Sequence, residues 1–244
     1  MVLIEVKDFK KSFGSKIVHR GVNLKINKGE CMGLIGGSGS GKSVILRSMI
    51  GLEKPDSGQV LIEGQDITPL NEDQLVSIRR KVAYVFQGGA LFDSMNVAEN
   101  LAYPLLEHTK LTSSEINAKI SETLESFGLH GTEKIMPANL SGGMQKRVGL
   151  ARAIILGPEV ILYDEPTAGL DPYNTKKIQE TILTLKKLGV TSILVTHDMP
   201  TAFAVCDRMA LLVDGKIVAE GTSKELKEGT QAGVLNTFIN GEET

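Results

Sequence analysis

Eight residues near the start of the chain have the types and the spacing needed to hold a polyphosphate. The run Gly36-Gly37-Ser38-Gly39-Ser40-Gly41-Lys42-Ser43 fits the pattern GxxxxGK[ST] at every fixed position. Its glycines let backbone N–H groups turn inward around an anion, and the helix predicted to follow adds a partial positive charge. Lys42 can place a charge at the β- and γ-phosphates, and the Ser43 hydroxyl can ligate Mg²⁺. The predicted nucleotide contacts here are Gly36, Gly37, Ser38, Gly39, Ser40, Gly41, Lys42, Ser43 and Val44.

An acidic pair, Asp164-Glu165, can supply the remaining chemistry of phosphate ester cleavage. The pair follows the apolar run Val160-Ile161-Leu162-Tyr163, which predicts a buried strand. In open parallel sheets, ligands collect at the carboxyl ends of strands. Asp164 is therefore suited to hold Mg²⁺, directly or through water, and Glu165 to orient and polarise an attacking water. The alternative is a solvated acidic turn, which the buried strand and the phosphate loop in the same chain disfavour.

A second glycine-rich loop precedes a helical pattern and offers another helix N-terminus to an anion. Residues Leu140–Arg147 read LSGGMQKR, and a helix is predicted over Met144–Leu156. Ser141 can cap this helix, which leaves backbone N–H groups facing outward. A phosphate loop alone indicates only that a nucleotide binds, so two phosphate-binding surfaces in one small chain need an explanation.

The elements that must position these motifs describe an α/β fold. The phosphate loop lies between a predicted strand, Cys31–Ile35, and a predicted helix, Val44–Ile50, which is the context that the motif requires. Further strands are predicted at Val82–Phe86, Thr191–Thr196 and Arg208–Val213, with helical patterns between them. The sequence therefore predicts an α/β core that carries a helical insert.

The same patterns indicate one domain with an insertion. We expect a core of about residues 1–87 and 158–230, a helical insert of about 88–157, and a short tail of about 231–244. Residues 1–30 are expected to form short strands, with turns at Gly14-Ser15 and Lys28-Gly29. In the tail, the spacing favours one short amphipathic helix with Val234, Leu235, Phe238 and Ile239 on its apolar side.

Composition limits the classes of function that the chain can serve. Its 244 residues are 41% hydrophobic, which is ordinary for a globular protein with a sizeable core. A net charge of −2 and the lack of a basic run give no general attraction to nucleic acid or anionic lipid. Cys31 and Cys206 form no ligand cluster in the sequence and suit a reducing compartment. No apolar run approaches the roughly 20 residues that span a bilayer, so any membrane role is expected to need a partner.

Several motifs occur in one order along the chain, and together they carry a family resemblance. They are the phosphate loop, Gln87, LSGGMQKR, Asp164-Glu165, Ala168-Gly169-Leu170-Asp171 and His197. With these motifs, the chain resembles the nucleotide-binding subunit of an ABC transporter over nearly all of its length. The resemblance implies a P-loop NTPase (RecA-like) core, an N-terminal antiparallel β-subdomain and an inserted α-helical subdomain. It also implies an ATPase that uses ATP and Mg²⁺.

The resemblance implies roles for individual residues. Gln87 would contact Mg²⁺ and sense the γ-phosphate, His197 would touch the γ-phosphate, and Phe13 would stack on adenine, where the family more often has Tyr. Ser141, Gly142 and Gly143 would contact the ATP held by a second copy of the chain, because two copies close head to tail. The expected catalytic residues are Glu165, His197 and Lys42, and the expected metal ligands are Ser43, Gln87 and Asp164.

The region after Gln87 narrows the resemblance to one subgroup. Its amino-acid sequence over residues 88–109, together with LSGGM rather than LSGGQ in the second glycine-rich loop, resembles that of the ATPases of Mla-type phospholipid transporters. That subgroup implies a permease, an MCE-domain lipid-binding protein and a peripheral position on the cytoplasmic face of the bacterial inner membrane. Leu91, Phe92 and Met95 are candidates for docking a permease helix, and ordinary packing under the helical insert is the alternative.

Three other functions compete with this one. An ATPase subunit for another solute, such as an amino acid or a metal chelate, would have the same fold. A soluble ATPase acting on nucleic acid or ribosomes usually has two cassettes, a long coiled-coil or zinc-hook insert, or basic arms. This sequence has none of these, so no nucleic-acid partner is expected. A protein that only binds nucleotide is disfavoured because Lys42, Glu165 and His197 are all present.

Overall fold

The described part of the chain contains ten strands and eight α-helices. The structure is a computed structural model, and it describes residues 1–228, 233, 237 and 238. The strands are β1 Val2–Phe13, β2 Lys16–Asn27, β3 Cys31–Ile35, β4 Ser57–Ile62, β5 Gln65–Asp66, β6 Val82–Val85, β7 Val160–Asp164, β8 Thr191–Thr196, β9 Arg208–Val213 and β10 Lys216–Thr222. The helices are α1 Lys42–Ser48, α2 Glu72–Lys81, α3 Val97–His108, α4 Ser113–Ser126, α5 Gly142–Ile154, α6 Pro172–Lys187, α7 Met199–Val205 and α8 Ser223–Glu228, with a 3-10 turn at Pro137–Asn139.

A six-stranded sheet carries the phosphate loop. Its order is β10-β9-β3-β8-β7-β6, and its strands are parallel except for β10, which pairs antiparallel with β9. Every residue of β3, β7 and β8 is buried. Such continuously apolar strands are typical of a parallel sheet that is covered on both faces.

Two hydrophobic cores cover the two faces of this sheet. Successive side chains of a strand point to opposite faces, so Leu34 belongs to one core and Ile35 to the other. The core on the Leu34 side is closed by α1, α2 and an antiparallel sheet of order β2-β1-β4-β5. The core on the Ile35 side is closed by α3 to α7. The predicted fold class, an α/β core with an N-terminal antiparallel sheet and inserted helices, is confirmed.

The helices inserted between β6 and β7 begin at polar caps. At the start of α3, Asn96 accepts from the Glu99 N–H at 2.9 Å, and Glu99 accepts from the Asn96 N–H at 2.8 Å. The first turn of α4 has the same reciprocal pair. Ser141 caps α5, as the sequence predicts, by accepting from the Met144 N–H at 3.3 Å. Each cap satisfies backbone donors that the first helical turn leaves unpaired.

Several helices and the lengths of two strands differ from the sequence-based expectation. β1 and β2 each run for 12 residues rather than as short strands, and they are joined at the predicted turn Gly14-Ser15. The apolar pattern marks neither α2 nor α7. In α2 only Leu75 and Ile78 are buried, so its periodicity is weak, and α7 has only 7 residues. α1 begins at Lys42, before the expected start, because the phosphate loop itself leads into the first turn.

The predicted tail helix lies mostly outside the described residues, because Val234, Leu235 and Ile239 are not among them. Phe238 is described, and it packs partly buried against the core on the Ile35 side. Among the described residues, no helix has the length and apolar character needed to cross a membrane.

Candidate active site

Four neighbouring strands end at the same edge of the large sheet. β3 leads into the phosphate loop, β8 leads to His197, β7 ends with Asp164 and leads to Glu165, and β6 leads to Gln87. Because β3, β8, β7 and β6 are adjacent and parallel in that order, their carboxyl ends bring these residues side by side. The motifs are far apart in sequence, and the sheet order makes them one site.

A cleft of about 620 Å³ gathers most of the predicted site residues. Its lining residues are Phe13, Lys16, Val18, Ser38, Gly39, Gly41, Lys42, Ser43, Val44, Gln87, Glu165 and His197. Sequence reasoning missed Lys16 and Val18, which belong to β2. They carry no motif, and only the pairing of β2 with β1 places them beside Phe13. Of the three remaining loop residues, Gly37 and Ser40 line an adjoining cavity of about 430 Å³, and Gly36 lines neither cavity.

Two glycines of the phosphate loop have conformations that other residues rarely adopt. Gly39 has φ +76° and Gly41 has φ +96°, both in the left-handed region. Gly41 also lies against the buried His19, since a Cβ at Gly41 would be 2.6 Å from His19 Nε2. Burial lowers the pKa of His19, so its ring forms a neutral support beneath the loop. The loop is therefore packed from below by an aromatic ring.

Lys42 is held over the loop by two backbone carbonyls. Its Nζ donates to Gly36 O and to Gly37 O, both at 2.8 Å. Burial lowers the pKa of Lys42, and the carboxylates of Glu165 and Asp164 oppose that shift. The ammonium group thus lies where an anion cradled by the loop would meet it.

Asp164 is a buried carboxylate with both oxygens hydrogen-bonded. The Ser43 hydroxyl donates to Oδ1 at 2.7 Å, and the Tyr84 hydroxyl donates to Oδ2 at 2.6 Å. Asp164 thereby joins the phosphate loop to β6. Burial, with the nearby Asp164, raises the pKa of Tyr84, which keeps its hydroxyl a donor. Sequence reasoning missed Tyr84, because an aromatic residue in an apolar strand is usually core and nothing local identifies its partner.

Glu165 has a backbone conformation that is rare for an L-amino acid, with φ +51°. Its N–H donates to Val195 O at 3.0 Å, which ties this conformation to β8. Its Oε1 lies 2.9 Å from His197 Nδ1, and the Thr196 hydroxyl donates to Oε2 at 3.4 Å. Such conformations cost of order 1–3 kcal/mol and persist where the surrounding structure determines them. Such backbone conformations recur at functional sites because they direct a particular side chain. Here they direct the Glu165 side chain toward the cleft.

The LSGGMQKR loop lies outside the cleft of its own chain. Ser141, Gly142 and Gly143 do not line the cleft, and the first two are exposed. Gly143 packs against Asn174, where an added Cβ would be 2.5 Å from Asn174 Cγ. Asn174 in turn donates to Asp171 Oδ2 at 2.5 Å. The exposed start of α5 is thus held beside residues 168–171, which we call the Asp171 loop. This helix start can receive an anion carried by another molecule.

Phe13 forms one wall of the cleft and is 46% exposed. Lys11 Nζ lies 5.1 Å from the centroid of its ring, within the range of a cation–π contact. An exposed aromatic ring in this position can stack on a flat base.

A second concave surface of about 380 Å³ lies between α2, β6, α3 and the end of α5, and we call it the Phe92 groove. Phe92 is 41% exposed, and its ring centroid is 5.1 Å from that of Tyr103. Of the three docking candidates, only Phe92 lines the groove; Leu91 packs against the core and Met95 is partly buried elsewhere. The cationic side chains that line the groove are Arg79, Arg80 and Arg152.

Comparisons with known proteins agree on one family. Residues 19–168 match the family model described as ABC transporter. The chain is 44% identical over 241 residues to the probable ribonucleotide transport ATP-binding protein mkl of Mycobacterium leprae, covering 98% of this chain and 69% of that protein. It is 38% identical over 226 residues to the intermembrane phospholipid transport system ATP-binding protein MlaF of Escherichia coli K12, covering 92% of this chain and 84% of that protein. A solved dimeric ATP-binding cassette in a post-hydrolysis state with ADP and Pi has a TM-score of 0.84 at 34% identity, covering 90% of this chain and 98% of that one.

The contact between Gly41 and His19 yields a prediction. Gly39→Ala places a methyl group in open space and should cost about 1–2 kcal/mol through its left-handed backbone. Gly41→Ala adds a clash with His19 and Val18, and it should cost about 1–3 kcal/mol more. Urea unfolding of the two variants measures the difference, and equal losses would contradict the packing of the loop against His19.

Proposed function

Because this chain belongs to the ABC transporter family and is an ATPase, we propose that it drives phospholipid transport between bacterial membranes. The observation that carries the proposal is the gathering of Lys42, Glu165 and His197 in one cleft, in a chain 38% identical to a phospholipid transport ATP-binding protein. The sequence of residues 88–109 supports the same cargo. A ribonucleotide is the second candidate cargo, favoured by the name of the mycobacterial relative at 44% identity.

The proposed metal site consists of Ser43, Asp164 and Gln87. A hydroxyl, a carboxylate and an amide offer the oxygen donors that Mg²⁺ prefers. Among the described residues, no group of three or more His, Cys, Asp and Glu side chains could hold a metal ion. A site with one carboxylate suits Mg²⁺, which usually binds through one or two carboxylates and substrate phosphates. When bound, Mg²⁺ supplies positive charge at the phosphate oxygens.

We assign the steps of ATP cleavage to residues of the cleft. The loop amides and Lys42 bind the β- and γ-phosphates and offset the charge that develops on them. Glu165 orients the attacking water in line with the γ-phosphate and accepts its proton, while the bond between the γ-phosphorus and the ADP oxygen breaks. His197, beside Glu165 at 2.9 Å, contacts the γ-phosphate, and Phe13 stacks on the base. Gln87 lies at the edge of the same cleft, where it senses the γ-phosphate.

The proposed working unit is a head-to-tail dimer with shared sites. Ser141, Gly142 and Gly143 serve the ATP held by the second copy, since they do not line the cleft of their own chain. The exposed N-terminus of α5 supplies backbone N–H groups and the positive end of a helix dipole to that γ-phosphate. The dimeric state of the solved cassette at 34% identity supports this arrangement.

The proposed membrane partner is a permease that docks in the Phe92 groove, with an MCE-domain lipid-binding protein in the same system. This places the chain peripherally on the cytoplasmic face of the inner membrane. The groove combines exposed aromatic rings with the exposed Arg80, whereas Arg79 and Arg152, which also line it, are bonded within the chain. A short permease helix with apolar residues and a carboxylate complements that surface.

Glu165→Gln tests the catalytic assignment. The variant should bind ATP normally and lose ATP hydrolysis by about 10²–10⁴-fold, because the amide cannot act as a base. Glu63→Gln is a matched control, since Glu63 also has positive φ, at 51°, but pairs with Lys81 outside the cleft. Phosphate-release kinetics and ATP titrations measure both variants. Near-normal hydrolysis by Glu165→Gln would remove this residue from the role.

A mixing experiment tests the shared site. Ser141→Arg and Lys42→Ala should each be inactive alone. Their equal mixture should recover up to about one quarter of wild-type activity, because half of the dimers are mixed and each has one complete site of two. Mixing Lys42→Ala with Glu165→Gln should recover nothing, since both changes fall on the same chain's half of the site. No recovery in the first mixture, with mixed dimers isolated through two tags, contradicts the composite site.

Phe92→Asp tests the partner and the cargo. A buried carboxylate in the groove should weaken binding to the permease by at least about tenfold, while the fold is unchanged. Leu188→Asp is the matched control, because Leu188 is 75% exposed and lies outside the groove. Sedimentation with membranes measures binding. In cells, Phe92→Asp should then disturb outer-membrane lipids. Normal outer-membrane lipids in a deletion strain that has lost ribonucleotide uptake would favour the second cargo.

A further inference from the structure

The buried Asn100 organises the segment that follows Gln87. It is fully buried, and its Oδ1 accepts from the Phe92 N–H at 2.9 Å and from Arg152 Nη1 at 3.2 Å. Its Nδ2 lies within hydrogen-bond distance of three carbonyl oxygens, those of Phe92 at 3.1 Å, Met95 at 2.9 Å and Asn96 at 3.0 Å. One side chain thus fixes the chain path from Phe92 to Asn96.

Arg152 connects this segment to α5. Its Nη2 donates to Ala90 O at 2.7 Å and to Gly89 O at 3.4 Å. Its guanidinium carbon lies 5.1 Å from the centroid of the Phe92 ring, a cation–π contact. Ala90 has φ +48°, a left-handed conformation that is rare for alanine, and its carbonyl is the one that Arg152 binds most closely. The arginine therefore stabilises a backbone path that the local sequence does not favour.

The segment after Gln87 and α5 are also in direct contact through their backbones. A Cβ at Gly149 of α5 would lie 2.7 Å from both the Cα and the carbonyl oxygen of Gly89. A Cβ at Gly89 would lie 3.0 Å from Gln145 O, one helical turn earlier. Glycine at both positions lets the segment rest directly on the helix. Gly88, by contrast, has open space around its Cβ position.

We propose that Asn100 and Arg152 are positioning residues that clamp residues 89–92 to α5, so that Phe92 and the LSGGMQKR loop move as one body. α5 begins at Gly142, and Arg152 lies ten residues later, about 15 Å along the helix axis. A partner that presses on Phe92 then acts on the LSGGMQKR loop through a continuous helix. This role rests on the proposed function, because it regulates the shared ATP site through the partner's contact.

Hydrogen exchange on the isolated full chain tests the clamp without any partner. Gly149→Ala adds one methyl group that improves helix propensity and pushes Gly89 away. The Phe92 amide, held by Asn100, should exchange at least about tenfold faster, while the amides of α5 and the phosphate loop keep wild-type protection. Gly88→Ala, the matched control, should leave all of these rates unchanged. An unchanged Phe92 amide in Gly149→Ala overturns the clamp.

A second measurement uses the complex with its permease. With the permease at saturating concentration, Arg152→Gln should keep the KM for ATP within about twofold and lose the increase in kcat that the permease produces, whereas Arg152→Lys should restore part of it. Arg147→Gln is the matched control, since Arg147 is also on α5 and donates to a carbonyl outside it, Phe127 O at 3.1 Å, but does not reach residues 89–100. It should keep the permease response.

The two experiments separate the clamp from the proposed partner. If Arg152→Gln keeps the full permease response, or if it raises the KM for ATP as strongly as it lowers kcat, the clamp does not transmit the contact and the inference is overturned. If the wild-type chain shows no response to the permease, the proposed partner is wrong, and hydrogen exchange on the isolated chain still decides the clamp.

Discussion

The parallel register of β3, β8, β7 and β6 is the constraint on which the active site depends. Ile35 pairs with Thr196, and Asp164 pairs with Val195, so these strands end within a residue of one another. Backbone hydrogen bonds across the sheet set that register, and burial on both faces prevents it from slipping, because a one-residue shift would exchange the two faces of a strand. The phosphate loop, His197 and Glu165 then need only short connections to meet in one cleft. These three motifs therefore meet without long, flexible side chains to connect them.

Strained and polar groups at this edge are held by the rigid sheet beneath it. Glu165 has a left-handed backbone, and its N–H is paired with Val195 O of the neighbouring strand. Asp164 is buried, yet both of its oxygens are bonded, to Ser43 and to Tyr84. A buried charge without such partners would destabilise the fold strongly. The close-packed cores on both faces hold these side chains in place at the edge of the sheet.

α5 links two other parts of the molecule, the Asp171 loop and the segment that carries Phe92. At its start, Ser141 caps the helix and Gly143 packs on Asn174, next to the Asp171 loop. In its first turns, Lys146 donates to Ala168 O of that same loop. Near its end, Arg152 binds the segment that carries Phe92. A helix with so many external bonds cannot shift alone, so a displacement at any of these contacts is shared with the others.

The sequence by itself determined the features that depend on local backbone chemistry. The phosphate loop, the cap at Ser141, the acidic strand end and the α/β class could be predicted, because glycines, caps and apolar runs act over a few neighbouring residues. The boundaries of β8 and β9 were predicted to the residue for the same reason. Only the tertiary structure decided which residues meet across the chain. Tyr84 reaches Asp164, Lys16 and Val18 join the cleft, and Asn100 and Arg152 fasten the segment after Gln87, all through strand order and helix packing that no local pattern encodes. Of Leu91, Phe92 and Met95, which look alike in sequence, only Phe92 lines the groove, because the hydrogen bonds of Asn100 set the path of that segment.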